Sequence, residues 1–223
     1  MEFEELDEFN LDETLTFLRS KFVRKTQEGN GKDGPPGEAY IESLRKTSRS
    51  ALAYSKRTHV KLFSLNYFVA VEAGKVIGAS GSYHVDIDYF NSEWREKNRA
   101  VAKELAARKN YFMGWTAARN ESDDEEFGGK RVGTALFKNC LLRAKKDADE
   151  NKVEDPHWSI CADRESEAFF IKIFDKDFFS ENSLLLEEWV YDEEKIFRAS
   201  ISALLTRISA MEAERINANL ASA

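Results

Sequence analysis

The sequence has little of what secreted and membrane-spanning proteins depend on. Its 223 residues include two cysteines, Cys140 and Cys161, too few for a disulfide framework and not spaced as metal ligands. No run of about 18 apolar residues occurs, and residues 1–10, MEFEELDEFN, are acidic and lack the apolar core of a signal peptide. We therefore expect a cytoplasmic protein with reduced thiols, no membrane partner and no bound metal.

Positive charge is also scarce. The chain has 33 Lys and Arg against 40 Asp and Glu, which gives a formal net charge of -7. Because nucleic-acid binding requires a basic face, we do not expect a nucleic acid as the principal ligand. The acidity favours a cationic substrate such as an amine, and it is also explained by solubility alone.

Proline is rare, and two of the three prolines fall in one stretch. Residues 26–38, TQEGNGKDGPPGE, hold them together with four of the eleven glycines, so this stretch is expected to be a loop. Of all residues, 42% are hydrophobic and 12% aromatic, which is enough for a core. The length favours one domain with extensions.

Hydrophobic periodicity predicts a mixture of strands and helices. The first half is expected to contain a strand in 2–8, a helix that Asn10 and Glu13 begin as a capping box, a helix at about 38–57 and a hairpin of 66–72 and 75–86. A helix in 91–108, a strand at 111–119, a helix at 131–147 and a strand at 156–162 are expected next. The last part is expected to contain a helix from 164 or 165 to 174, one or two strands in 178–190 and a helix at 192–220. This order indicates a mixed α/β fold.

Two of these elements carry finer signals. In the second strand of the hairpin, Gly78 and Gly81 indicate a bulge or a close backbone approach. In the helix at 131–147, the spacing of Val132, Leu136, Cys140 and Ala144 predicts a buried face.

The stretch FGGKRVGTALFK, residues 127–138, combines three glycines with the start of a predicted helix. A strand, a glycine-rich loop and a helix in this order form a phosphate site, because the amides at a helix start carry positive partial charge. The spacing fits neither a P-loop, which needs Gly-Lys-Ser/Thr, nor the dinucleotide pattern G-x-G-x-x-G. A phosphate site of another kind is therefore predicted.

The same stretch resembles motif A of the Gcn5-related N-acetyltransferase (GNAT) superfamily, Gln/Arg-x-x-Gly-x-Gly/Ala followed by a helix. Gly133 and the VGTAL segment match, whereas Gly128 and Arg131 depart from the pattern. The hairpin at 68–82, the strand at 111–119 and the strand and helix at 157–174 are also similar to family segments in the same order. The resemblance covers residues 60–178.

The resemblance implies a GNAT-like α+β fold, with a mixed, mostly antiparallel central sheet flanked by helices. Here the fold would carry a helical insertion at about 90–108 and a long C-terminal helix, and the chain would divide into an acetyltransferase domain, 1–190, and a helical extension, 191–223. Acetyl-CoA is the implied co-substrate. The residues implied for its pantetheine and pyrophosphate are Ala117, Ala118, Arg119, Gly128, Gly129, Lys130, Arg131, Val132, Gly133 and Thr134.

The resemblance leaves the general acid open. The family commonly has a Tyr in an FYxK segment, where this chain has Phe170. Tyr83 and Tyr111 are the candidate proton donors in its place, and a packing role is the competing interpretation of each.

The general base is open as well, because the family's frequent glutamate in the fourth strand is absent. His84 and Asp86 alternate along the third strand and would share one face, where they could meet an amine. Glu121 is a further candidate, although it begins the acidic run ESDDEE. For all three, a solvent-facing position is the competing interpretation.

Two functions follow from the resemblance. The retained motif A favours an acetyl-CoA-dependent N-acetyltransferase that acts on a primary amine of a small molecule or protein. The missing Tyr and Glu favour a catalytically silent GNAT fold that serves as an acyl-CoA sensor or a protein-interaction module. A third interpretation is an α/β scaffold without coenzyme, in which the glycines form only a tight loop.

The predicted C-terminal helix carries one apolar stripe that must be covered. Its members are Phe197, Ile201, Leu204, Ile208 and Met211. Docking on the chain's own domain and pairing in a homodimer are both open interpretations.

Overall fold

Both strands and helices are present in the computed structural model, which describes residues 1–7, 9–18, 66–84, 111–118, 132–162, 167–191 and 194–221, together with residues 96, 99 and 103. The strands are β1 Glu2–Glu5, β2 Asn66–Glu72, β3 Lys75–His84, β4 Tyr111–Ala118, β5 His157–Ala162, β6 Leu186–Tyr191 and β7 Glu194–Ser200. The helices are α1 at 11–18, α2 Val132–Glu150, α3 Glu167–Ile173, α4 Lys176–Glu181 and α5 Ile201–Ala221.

The chain divides into two units. The first consists of Met1–Ser82 and Trp115–Cys140, and the second of Tyr83–Gly114 and Leu141–Ala223. The strand order is β1-β2-β3-β4 in the first unit and β4-β5-β7-β6 in the second, with β4 contributing residues to both. The registers of the described strand pairs are antiparallel except that of β4 with β5. The predicted mixed, mostly antiparallel sheet is confirmed.

A two-residue turn joins β2 to β3 where the sequence predicts it. Ala73 and Gly74 have φ of 49° and 72°, so both adopt the left-handed backbone that a tight hairpin turn of this length favours. A side chain at Gly74 would meet no neighbour within 4 Å, so the backbone conformation, and not space, favours glycine there. The predicted hairpin is confirmed over the described residues.

A β-bulge interrupts the hairpin beside Gly78, as the sequence suggested. Ala70 pairs with Gly78, whereas Val71 pairs with Val76, so Ile77 is the additional residue on β3. The side chains of Val76 and Ile77 belong to different apolar clusters, because successive residues of a strand face opposite sides of the sheet.

The two clusters pack α1 and α2 against the hairpin. Leu11, Leu15 and Leu18 of α1 share a cluster with Val69 and Val76. Val132 and Leu136 of α2 share the other with Ala70 and Ile77. Helices therefore flank the sheet of the first unit, as predicted.

The predicted capping box of Asn10 and Glu13 is wrong. The Asn10 amide donates to Asp7 Oδ1 at 3.0 Å, and Asn10 Oδ1 accepts from the Asp7 amide at 2.9 Å. Glu13 Oε1 instead accepts from the Val76 amide at 2.9 Å. The bulge offers Glu13 a long-range partner, and the local box is lost to that contact.

In the second unit, β7 lies between β5 and β6. Ser159 pairs with Arg198 and Glu187 pairs with Arg198 from the other side, so the three side chains form one row across the strands. The Arg198 side chain is fully buried, and its Nη1 donates to Glu187 Oε2 at 2.9 Å. A buried guanidinium requires such a partner.

Two predictions for the C-terminal third are wrong in part. One or two strands were expected in 178–190, but residues 176–181 form α4, because Asp175 Oδ1 accepts from the amides of Asp177 and Phe178 and so caps a helix. Residues 194–200 form β7, where the start of a helix was expected. Ile196–Ala199 are all buried because a central strand is covered on both faces, so this run shows no strand-like alternation.

The long C-terminal helix is present, and it begins at Ile201. Ile201, Leu204 and Ile208 are buried, so this part of the predicted stripe is covered by the chain itself. Docking on the own chain is confirmed for these residues, whereas pairing with a second copy stays a prediction.

The predicted domain boundary and insertion remain predictions. The boundary at 190/191 falls inside β6, and the two units follow a different division. Most of the expected helical insertion, about 90–108, lies outside the described residues. Glu96, Arg99 and Lys103, which are described, have helical backbone.

Candidate functional site

The start of α2 contains no acidic side chain. Its first turn is Val132-Gly133-Thr134-Ala135, and the side chains of the four residues before it, 128–131, contain no hydrogen-bond acceptor. The first four amides of an α-helix have no carbonyl partner within the helix. The start of α2 is therefore electropositive and chemically suited to an anion.

Packing fixes which side of this helix start faces outward. The Val132 side chain is 2% exposed and packs with Ala70, Ile77 and Leu136. Gly133 and Thr134 are half-buried, because the helical repeat turns them away from that cluster. The predicted buried face of Val132, Leu136, Cys140 and Ala144 is confirmed.

A polar contact lies further along the same face of α2. The Cys140 thiol donates to Ser80 Oγ at 3.5 Å, and both side chains are fully buried. The sequence predicts Cys140 as a buried position but does not predict its partner. A serine in the run GASGSY carries no spacing that would distinguish it, and only the β2–β3 register shows that Ser80 lies opposite Phe68, which packs against the α2 cluster.

The end of β4 lies in the same unit as the start of α2. Ala117 and Ala118, implied for pantetheine, are the last two residues of β4 and belong to the first unit with Val132, Gly133 and Thr134. The parallel register between β4 and β5 consists of two pairs, Tyr111 with Trp158 and Phe112 with Ser159. Strand, connection, helix and parallel strand therefore follow one another as the resemblance implies.

The candidate catalytic residues are distributed differently. Tyr83 and His84 are the last two residues of β3 and belong to the second unit. Tyr111, the other candidate proton donor, is the first residue of β4. The predicted residues outside the described part of the chain are Asp86, Arg119, Glu121, Gly128, Gly129, Lys130 and Arg131.

Phe170, at the position of the family's usual Tyr, is a core residue. It lies in α3, is 3% exposed, and contacts Phe169 edge to face with 4.8 Å between ring centroids. Without a hydroxyl it has no proton to donate. The described part of α3 therefore offers packing at this position.

The described residues contain no group of three or more His, Cys, Asp and Glu side chains arranged to hold a metal ion. Among the helices in the described ranges, none combines the length and the apolar character needed to cross a membrane.

No family model matches the sequence. No curated protein matches it either.

Solved structures of acyl-CoA-related proteins are similar to this chain at low sequence identity. The PaiA N-acetyltransferase from Thermoplasma acidophilum, in complex with coenzyme A, is 15% identical, with coverage of 90% of this chain and 99% of its own and a TM-score of 0.48. The ribosomal-protein-S18-alanine N-acetyltransferase from Escherichia coli is 11% identical over 90% and 93% of the two chains, with a TM-score of 0.43.

A third similar structure is described as a different kind of enzyme. The GNAT-like decarboxylase GphF, in complex with isobutyryl-CoA, is 9% identical over 90% of this chain and 100% of its own, with a TM-score of 0.46. These likenesses are distant and by themselves assign no activity to this chain.

Proposed function

We propose that the chain binds acetyl-CoA at the start of α2 and transfers the acetyl group to a primary amine of a small molecule or protein. The observation that carries this proposal is the helix start itself. Val132 is anchored in the core, Gly133 and Thr134 are accessible, and neither the first turn nor residues 128–131 supply an acidic side chain that would compete for the amides.

In this proposal the pyrophosphate accepts hydrogen bonds from the amides at the start of α2. Gly133 lets the coenzyme approach the backbone, and Lys130 and Arg131, outside the described residues, add positive charge. The end of β4 supplies main-chain groups of Ala117 and Ala118 for pantetheine, with Arg119 following. Gly128 and Gly129 complete the loop that precedes the helix.

The proposed reaction is direct transfer. The nitrogen of the neutral amine forms a bond to the acetyl carbon, the bond from carbon to sulfur breaks, and its electron pair goes to sulfur. A base removes the proton that the nitrogen loses, and the thiolate gains a proton to give free coenzyme A. His84, Asp86 and Glu121 are the proposed bases and Tyr83 a proposed acid, on the sequence arguments alone.

Thermal unfolding with coenzyme tests the binding step. A ligand that prefers the folded state at about 100 times its Kd adds about 2.7 kcal/mol, which corresponds to a rise of about 5 °C or more in Tm for a chain of this size. Desulfo-CoA, which retains the pyrophosphate, is expected to give a similar rise. No rise with either compound at millimolar concentration would contradict the proposal.

Thiol release from acetyl-CoA with a panel of primary amines tests the transfer step.

The second candidate function is a silent fold that senses acyl-CoA or binds a protein. The observation that favours it is buried Phe170, which stands where the family usually has its proton donor. Binding without thiol release across the panel would support the second function over the first.

The remaining expectations are proposals about partners and location. The net charge of -7 suits a cationic amine. A homodimer through the C-terminal helix and a cytoplasmic location are proposed on the sequence arguments given above.

A further inference from the structure

The interface of α2 with the β2–β3 hairpin is apolar at its centre. Val132 and Leu136 of the helix meet Ala70 and Ile77 of the strands, and all four side chains are buried. Close packing of these side chains limits how far the helix can slide on the strands. A directional contact defines the position of the helix more narrowly.

A directional contact at this interface is the hydrogen bond from Cys140 to Ser80. Both groups are fully buried, and the Sγ to Oγ distance is 3.5 Å. Sliding or rotating α2 by a fraction of a turn would lengthen and bend this hydrogen bond, and hydrogen bonds weaken steeply outside their preferred distance and angle. The pair therefore favours one axial and rotational setting of the helix.

Because α2 is rigid, the position of Cys140 also determines the position of the first turn of the helix. Cys140 follows Val132 by eight residues, or about 12 Å along a rigid helix. The amides of Gly133 and Thr134 are held at the position that Cys140 and Ser80 define relative to β3. Small displacements of binding groups have large effects on affinity and rate when several hydrogen bonds must form together.

We propose that Ser80 and Cys140 are positioning residues for the coenzyme: their buried hydrogen bond sets α2 so that its first amides meet the pyrophosphate. This inference rests on the proposed function. It assigns neither residue a contact with the coenzyme, and it adds to that function a determinant that the glycine-rich motif does not contain.

The test compares two ligands that differ in the pyrophosphate. Coenzyme A carries it and acetyl-pantetheine lacks it, and the Kd of each is measured by calorimetry for the full chain. Ser80→Ala and Cys140→Ala are expected to raise the Kd of coenzyme A about three- to tenfold, the equivalent of losing a weak hydrogen bond. The Kd of acetyl-pantetheine is expected to stay unchanged, and Cys140→Ser, which keeps a donor, restores coenzyme binding.

Ile77→Val is the matched control, because it trims the same interface without touching the polar pair. It is expected to lower Tm and leave the ratio of the two Kd values as in the wild type. If Ser80→Ala and Cys140→Ala weaken both ligands equally, or neither, the positioning role is overturned while the proposed function stands. If the wild-type chain binds no coenzyme A, the proposed function fails and this inference with it.

Discussion

The start of α2 in the first unit differs from the helix starts of the second unit. Asp175 caps α4 with Oδ1 and binds Arg207 with Oδ2, Glu167 in the first turn of α3 pairs with Lys195, and Ser200 Oγ accepts from the Ala203 amide at the start of α5. By contrast, the first turn of α2 is Val-Gly-Thr-Ala. Side chains of the chain itself satisfy these helix starts, whereas the described first turn of α2 supplies no acidic side chain and is suited to a ligand anion.

The acidic content of the other described helix in the first unit fits this contrast. Asp12 and Glu13 lie in the first turn of α1, and the Asn10 carbonyl accepts from the Thr14 amide at 2.9 Å. An acidic residue in a first turn stabilises a helix through its dipole. The first turn of α2 has no acidic residue, so α2 lacks this stabilisation. The positive partial charge of its amides is therefore left for an anionic ligand.

The largest expected effect is on stability, at Arg207, which binds the residue that caps α4. Arg207 is 8% exposed, and its guanidinium bonds to the Lys172 carbonyl, pairs with Asp175 at 3.0 Å and lies 4.7 Å over the Phe178 ring. Arg207→Ala is expected to lower the free energy of unfolding by about 3 kcal/mol, because it removes a mostly buried charge from its partners. Urea unfolding measures the loss.

The control for this variant is Arg215→Ala, which removes an exposed arginine from the same helix and is expected to change stability by less than about 0.5 kcal/mol. Coenzyme affinity of the folded Arg207→Ala chain is expected to stay unchanged. Equal stability of the two variants would show that the start of α4 does not depend on the Arg207 contacts.

A smaller effect is expected at the start of α3. The hydrogen bond with Glu167, with the negative charges of Glu167 and Glu188 adding to it, raises the pKa of Lys195 above its ordinary value of 10.5. Because the pKa of Lys195 is higher in the folded chain than in the unfolded chain, the charged form of Lys195 stabilises the fold. This stabilisation is fully present below the unfolded pKa and is lost as pH rises through the folded pKa. The pair is partly exposed, so the contribution is small.

Thermal unfolding from about pH 8 to pH 11.5, across the ordinary lysine pKa, checks this direction. Lys195→Met is expected to lower Tm slightly at the lower pH and to converge with the wild type at the higher. Lys152→Met, at an exposed lysine in a turn, is the control and is expected to show no such convergence. A Tm difference for Lys195→Met that is constant with pH would exclude the Lys195 charge as its cause.

The elements predicted correctly are those whose pattern is local. The turn at Ala73-Gly74 follows from the two β-rich runs on either side of it, and the buried face of α2 follows from the spacing of Val132, Leu136 and Cys140. The bulge beside Gly78 was also suggested by the glycine in the strand. Each of these predictions depends on residues that are close together in the sequence.

The errors have a common physical cause, which is contact between distant segments. Glu13 bonds to Val76 and so leaves the predicted capping box. The run from Ile196 to Ala199 is uniformly buried because both faces of this central strand are covered, and its own spacing does not encode that cover. The partner of Cys140 was not predicted for the same reason.

The same distinction between local patterns and contacts of distant segments applies to the candidate site. Val132, Gly133 and Thr134 were identified from a local motif, and the structure places them at a helix start in one unit with Ala117 and Ala118. The catalytic candidates depend on which distant side chains meet the amine. Tyr83 and His84 end β3 in the second unit, and their catalytic roles stay predictions.

The central claim is that the start of α2 binds the coenzyme phosphates, and coenzyme A titration of Thr134→Glu tests it most directly. The substitution gives α2 the first-turn acid that other helices of the chain have, so stability is expected to hold or to rise by about 0.3–1 kcal/mol. Affinity is expected to fall about tenfold or more through repulsion of the pyrophosphate. Thr134→Gln, equal in shape to Glu and uncharged, is expected to bind more tightly than Thr134→Glu. Equal Kd values for the wild-type, Glu and Gln chains would contradict the claim.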